Sequence, residues 1–249
     1  MKKLLLLAVA LVGSVVAKAD TYKVGDVSMV SGSTGVINVA LSNSAAVRDF
    51  QVSVAIPEGF TYVSASTPLP YYTVDTDAVA NTTTNTTATF IGYSTGNAGD
   101  ACTIAAADST VVLQITVSSA ANAWAEAEDV ATSAGKATND AATASDVTAA
   151  TFDMVAGIVG DVSKDSKVNS TDVSGLYNYI AASKAPSELG AYAMFSNING
   201  DASLNSTDVS GIYNIIANSS SVKEEVDFVE EAPVKAEVKI NESEIVWGD

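Results

Sequence analysis

The chain has 249 residues, a formal net charge of −17, no His and one Cys. An acid surplus of this size with no basic patch argues against nucleic acid and anionic membrane surfaces as partners. Without His, and with Cys102 alone, zinc sites built from His and Cys, Ser-His-Asp and Cys-His catalysis, and a disulfide within the chain are excluded.

Residues 1–19 read as a cleavable export signal. Lys2 and Lys3 open it, LLLLAVALVGSVV supplies a short apolar run, and Ala17-Lys18-Ala19 supplies a small-x-small cleavage site. The apolar run is short for a membrane span, which needs about 20 residues. The mature chain is therefore expected to start at Asp20, to lack a membrane span, and to be secreted or held at the cell surface. Removing Lys2, Lys3 and Lys18 moves the net charge from −17 to −20.

Residues 20–156 read as β-structure. Ile37, Val39 and Leu41 share one face of a strand, and Phe50, Val52, Val54 and Ile56 mark alternate positions of the next. Pro57-Glu58-Gly59 is a turn, after which Phe60, Tyr62 and Ser64 continue the alternation. TATFIGYS (87–94) and STVVLQITVS (109–118) are further strands. Short strands separated by Gly, Pro, Asn and Ser clusters predict a β-sandwich. The polar stretch 81–87 places Asn81 and Asn85 in glycosylation-type sequons, and Cys102, among small residues, is expected to be a buried thiol, the alternative being a reactive or intermolecular role. Residues 119–146 are rich in Ala, Asp and Thr. Within them AANAWAEAEDVA reads as a short helix or an insertion anchored by Trp124, and residues 147–156 read as a final strand.

Residues 157–218 are built on a repeat. NSTDVSGLYN (169–178) returns as NSTDVSGIYN (205–214), with nine of ten positions identical and an offset of 36. Each phrase completes a twelve-residue loop with oxygen-bearing groups at positions 1, 3, 5, 7, 9 and 12. In the first these are Asp161, Ser163, Asp165, the carbonyl of Lys167, Asn169 and Asp172. In the second they are Asn197, Asn199, Asp201, the carbonyl of Ser203, Asn205 and Asp208. Hard oxygen ligands at alternate positions of a tight loop can enclose Ca²⁺. The same residue types also make Asx-turns and helix N-caps; two loops at matched spacing favour the metal reading. The first loop offers three carboxylates and the second two, so two Ca²⁺ sites are expected, the second weaker.

A helix follows each loop. Val173, Leu176, Tyr177 and Ile180 fall at i, i+3, i+4 and i+7, and Val209, Ile212, Tyr213 and Ile216 repeat the pattern. Gly175 and Gly211 inside these helices suggest either close helix–helix approach or simple duplication. Pro186 to Phe195 predicts a linking helix. The acidic stretch 219–249 reads as a solvated tail or a strand around Val234–Ile240, with Trp247 near its end.

The repeat region, about residues 158–218, resembles a type I dockerin, a calcium-binding docking module of the form D-x-N-x-D-G-x-x-N-S-T-D. It departs at position 6, where Ser166 and Ala202 replace Gly, and at Asn197, which replaces Asp. A non-Gly residue with positive φ costs on the order of 1 kcal/mol. The resemblance implies that loop positions 10 and 11 and helix positions 17 and 18 contact a cohesin. Here these are Ser170, Thr171, Tyr177 and Asn178, matched by Ser206, Thr207, Tyr213 and Asn214. The two sets are identical, so a rough two-fold axis and two binding orientations are expected; the alternative is that the tyrosines are core and the Ser-Thr pairs are caps. The preceding region resembles a cohesin or a related carbohydrate-binding sandwich through GVINVALSN followed by DFQVSVAIPEGF, with Asp49 in place of a Gly and Ile56-Pro57-Glu58-Gly59 in place of a Tyr-Asp element; the resemblance implies a β-sandwich of cohesin-like or jelly-roll type.

Together these resemblances imply a calcium-dependent interaction protein of extracellular, polysaccharide-degrading assemblies. Its partner is a cohesin-like domain or another copy of this chain. The alternative is a carbohydrate-binding sandwich anchored by the repeats. A glycoside hydrolase is a third reading, but Asp49, Glu58, Asp75, Asp77 and Asp100 sit in no recognisable motif, and no enzymatic activity is expected.

Overall fold

The computed structural model describes residues 19–77, 86–96, 103–133, 135–139, 142–183, 193–201 and 203–221. Residues 1–18 of the export signal, Asn81, Asn85, Asp100, Cys102, Ala202, residues 186–192 of the linking stretch and the tail beyond Ser221 lie outside the described residues. Among the described residues no helix is long and apolar enough to cross a membrane.

Twelve strands run in the order β1 (Thr21–Val24), β2 (Val27–Val30), β3 (Thr34–Asn43), β4 (Asp49–Ile56), β5 (Phe60–Ser66), β6 (Tyr72–Asp77), β7 (Thr86–Ser94), β8 (Ala107–Ser119), β9 (Ala125–Ala131), β10 (Gly135–Thr138), β11 (Ala144–Val147) and β12 (Thr151–Gly157). They form a four-stranded sheet β1-β3-β8-β5, a five-stranded sheet β11-β10-β4-β7-β6 and a three-stranded sheet β2-β12-β9. The third sheet links the other two, since β2 lies against β3 and β9 against β4. All three contribute to one apolar core, which includes Ile37, Val39, Leu41, Phe50, Phe90, Leu113 and Met154. This is the β-sandwich that the alternation predicted.

Two strands change face midway, for a reason periodicity does not carry. Opposite Val39 and Ala40, β8 holds an extra residue, so adjacent Val112 and Leu113 are both buried. In β5 the register shifts between Tyr62 and Ser64. The expected inward Ser64 is therefore exposed, and Ala65 packs on the core in its place.

The segment read as a helix or insertion is strand. Residues 119–146 supply β9, β10 and β11, and the final strand begins at Thr151 rather than at residue 147. In β9, Ala125 and Ala127 pack on the core while Glu126 and Glu128 face solvent. Asp129, at φ +52°, then resets the strand so that Val130 turns inward opposite Phe152. The helix propensity of Ala is a weak prior, and pairing with β12 overrides it.

The C-terminal unit holds α1 (Ser170–Ala181), a single turn α2 (Ala193–Ser196) and α3 (Ser206–Ser221). Its core is small: Val173, Leu176 and Ile212 are buried, and Val162, Val168, Ile180, Ile198, Leu204, Val209 and Ile216 pack around them. Ile198 fills the space beside Gly211, where a Cβ would come within 2.6 Å of it. The close neighbour of Gly211 is thus a loop residue and not another helix, and at Gly175 a Cβ would meet only an ordinary contact with the loop residue Val162 at 3.5 Å, so neither glycine marks a close helix–helix approach.

Candidate metal loops and docking face

Each loop is wound around its closing Asp. Asp172 is buried; its Oδ1 accepts the N–H of Ser163 at 2.8 Å and its Oδ2 that of Asn169 at 2.8 Å. Asp208, also buried, accepts from Ile198 at 2.9 Å and Asn205 at 2.9 Å. Each carboxylate thus ties the start of its loop to the end and lies in the first turn of a helix, where negative charge is favoured.

In the first loop Asp161 is buried beneath the turn. It accepts the N–H of Asp165 at 3.2 Å and of Ser166 at 2.9 Å, and the Ser163 hydroxyl approaches it at 3.4 Å. Burial pushes its carboxyl above the ordinary range, and the neighbouring Asp172 adds to this, against backbone N–H groups that lower it. Two carboxylates facing one interior without a cation repel each other, as expected where a cation would sit.

The position-6 departure takes the conformation expected of it. Ser166 has φ +65°, and Lys164, two residues earlier, has φ +63°. In the second loop the residue equivalent to Lys164 is Gly200, at φ +70°. An L-residue in this region costs about 1–2 kcal/mol, so the first loop carries strain at Lys164 that its twin avoids with glycine.

Several proposed ligands also accept local backbone bonds. Asn169 caps α1, its Oδ1 accepting the N–H of Thr171 at 2.8 Å, and Asn205 does the same for Thr207 at 2.8 Å. Asp165 and Asp201 close Asx-turns on the N–H groups of Lys167 and Ser203, at 2.9 and 2.6 Å. These are the local bonds of the competing reading, and the loops make them. Among the described residues no three Asp, Glu or Cys side chains converge closely enough to hold a metal by themselves, so a cation would also draw on amide, hydroxyl and carbonyl oxygens.

Asn197 is the observation that favours a cation in the second loop. Its Nδ2 donates to the carbonyl of Asp201, but its Oδ1 is buried without a hydrogen-bond donor among the described residues. A buried acceptor left unpaired is costly, and this is the atom that position 1 would offer to a metal. Asn199 completes the cluster, its Nδ2 donating to Asp201 Oδ2 at 2.7 Å. The residues fit a hard cation: Asp161, Ser163, Asp165 and Asp172 would hold it in the first loop, and Asn197, Asn199, Asp201 and Asp208 in the second. When bound, Ca²⁺ would supply the positive charge that these buried oxygens lack.

The expected contact residues lie on the surface. Ser170, Thr171, Asn178, Ser206, Thr207 and Asn214 are exposed, and the tyrosines are not core: Tyr177 is 64% exposed and Tyr213 58%. Helical spacing placed both rings with the apolar stripe, but α1 and α3 meet along Val173, Leu176 and Ile212, and the i+4 neighbour falls outside that narrow seam. Between the helices lies a groove of about 520 Å³ lined by Val173, Ser174, Tyr177, Asn178, Val209 and Tyr213. The Ser-Thr pairs are not the caps, since Asn169 and Asn205 accept the capping bonds.

Sequence reasoning missed how the first loop meets the sandwich. Trp124 was legible as an anchor, but not that it anchors Lys164 and Ser166, which lie about forty positions away in sequence.

No curated protein matches the chain. A solved cohesin module of a family 33 glycoside hydrolase from Clostridium perfringens is 12% identical, covers 56% of this chain and 96% of its own, and has a TM-score of 0.43. A non-cellulosomal cohesin from the archaeon Archaeoglobus fulgidus is also 12% identical, covers 57% of this chain and 92% of its own, and has a TM-score of 0.40. A chain of a type I cohesin–dockerin complex from Clostridium thermocellum is 9% identical, covers 56% of this chain and 95% of its own, and has a TM-score of 0.44. The helical unit is where sequence and family meet: residues 159–217 match the model of the dockerin type I domain.

Proposed function

We propose that this is an exported, calcium-dependent docking protein. Its two loops each hold one Ca²⁺, the second more weakly, and the α1–α3 face takes a cohesin-like domain. The observation that carries this reading is the pair of exposed tyrosines, Tyr177 and Tyr213, flanking one groove in a segment that matches the dockerin type I domain. Aromatic rings exposed around a partly apolar groove are what a protein partner buries, and they are typical anchors of binding energy. Ser170, Thr171 and Asn178, with Ser206, Thr207 and Asn214, supply a polar rim on either side. The setting is an extracellular assembly acting on polysaccharide, and the chain itself has no catalytic role.

The test is capture by the immobilised mature chain, with Ca²⁺ and with chelator, against a panel of type I cohesins, a second copy of this chain and insoluble polysaccharide. Calcium-dependent capture of a cohesin, lost in the double variant Tyr177→Ala/Tyr213→Ala, is the expected result. Retention on polysaccharide alone, indifferent to chelator and to both substitutions, would overturn the reading in favour of carbohydrate binding.

A further inference from the structure

We propose that cation binding in the first loop and docking of that loop on the sandwich are one coupled event, so that Trp124 and Lys164 set the affinity of a site to which neither supplies a side-chain ligand. This rests on the reading of the first loop as a calcium site.

The contact is specific. The N–H of Trp124 donates to Ser166 Oγ at 2.9 Å. Lys164 Nζ lies 5.7 Å from the centre of the Trp124 ring and 3.5 Å from Glu126 Oε2. Glu126 also accepts from the indole Nε1 at 3.3 Å, which holds the ring in place for the ammonium. Trp124 also meets Phe195 edge-on, at 5.3 Å between ring centres. Gly157, where β12 ends, leaves no room for a side chain: a Cβ there would come within 2.5 Å of Trp124 and 2.9 Å of Phe195.

Lys164 and Ser166, the two first-loop residues that meet Trp124, both have left-handed backbone. One carboxylate holds this stretch of backbone, since Asp161 accepts the N–H of Ser166 at 2.9 Å and that of Asp165, between Lys164 and Ser166, at 3.2 Å. A cation that fixes Asp161 therefore fixes the backbone that presents the Lys164 ammonium and the Ser166 hydroxyl to Trp124. Docking on Trp124 in turn holds the loop in the form that a cation needs. Coupling of this kind is reciprocal: each event favours the other by the same factor. In the second loop the residue matching Lys164 is Gly200, which has no side chain to offer.

The experiment uses the full mature chain carrying Trp247→Phe, which leaves Trp124 as its one tryptophan. Ca²⁺ is titrated while heat and tryptophan emission are followed together. Two binding events by heat are expected, with emission moving only with the tighter one. Asp161→Ala should abolish the emission change and Asp208→Ala should leave it. Lys164→Ala keeps the β-carbon and its backbone preference but removes the ammonium. It should weaken the tighter site about 3- to 10-fold, the scale of a cation–π contact with its ion pair, and leave the weaker site unchanged. Heat of binding with constant emission, or unchanged affinities in Lys164→Ala, would overturn the coupling while the calcium reading stands. Absence of both heat and emission change overturns both.

Discussion

Ser166 offers a test in which two effects of similar size oppose each other. Its φ of +65° costs an L-residue about 1–2 kcal/mol that glycine escapes. Its hydroxyl accepts the Trp124 N–H at 2.9 Å, a bond worth about 0.5–1.5 kcal/mol. Ser166→Ala keeps the strain and loses the bond, so it should destabilise by about 1 kcal/mol. Ser166→Gly loses the same bond but relieves the strain, offset by about 0.5–1 kcal/mol for the greater freedom of glycine when unfolded. The glycine variant should therefore lie near the parent and about 0.5–1 kcal/mol above the alanine variant, the reverse of the order in a helix or strand. Urea unfolding of the Trp247→Phe chain at saturating Ca²⁺, read at Trp124, should separate the midpoints by about 0.5–1 M for a slope near 1 kcal/mol per M. An alanine variant as stable as the glycine variant, or more so, would refute the assignment of left-handed strain to this position.

Three other outcomes follow from particular contacts. A Cβ on Gly92 would sit 2.1 Å from the ring of buried Phe50, so Gly92→Ala should destabilise the sandwich by about 1–3 kcal/mol, seen as a lowered melting temperature. Burial pushes the Tyr22 phenol above its usual range while its hydroxyl donates to the Gln51 carbonyl at 2.8 Å; because the unfolded phenol ionises near pH 10 and the folded one resists, stability should fall as pH rises through about 10, and Tyr22→Phe should flatten that fall in alkaline denaturation curves. If the two repeats present equivalent surfaces, Ser170→Asp/Thr171→Asp should leave calcium-dependent capture of a cohesin nearly unchanged and adding Ser206→Asp/Thr207→Asp should abolish it; loss of capture with the first pair alone, the fold being intact, would rule out two binding orientations.

The sequence by itself determined the features written in local spacing. The duplicated phrase located both loops and their helices, and Asp172 and Asp208 stand where position 12 required, because a turn of fixed length brings its ends together. Period-two alternation found β3 and β4, whose alternate residues Ile37, Val39, Leu41, Phe50, Val52, Val54 and Ile56 are all buried. The absence of glycine at position 6 implied the left-handed strain that Ser166 adopts. Tertiary structure decided what depends on a neighbour arriving from far along the chain. The bulges in β5 and β8 turn Ala65 and Val112 inward through pairing that no single strand encodes. Alanine-rich residues 125–131 became strand because β12 supplied hydrogen bonds that a helix would have found within itself. Helical periodicity assigned Tyr177 and Tyr213 to an apolar stripe without fixing how wide a stripe the partner helix would cover. The seam between α1 and α3 is narrow, so both rings remain at the surface, where a partner can reach them.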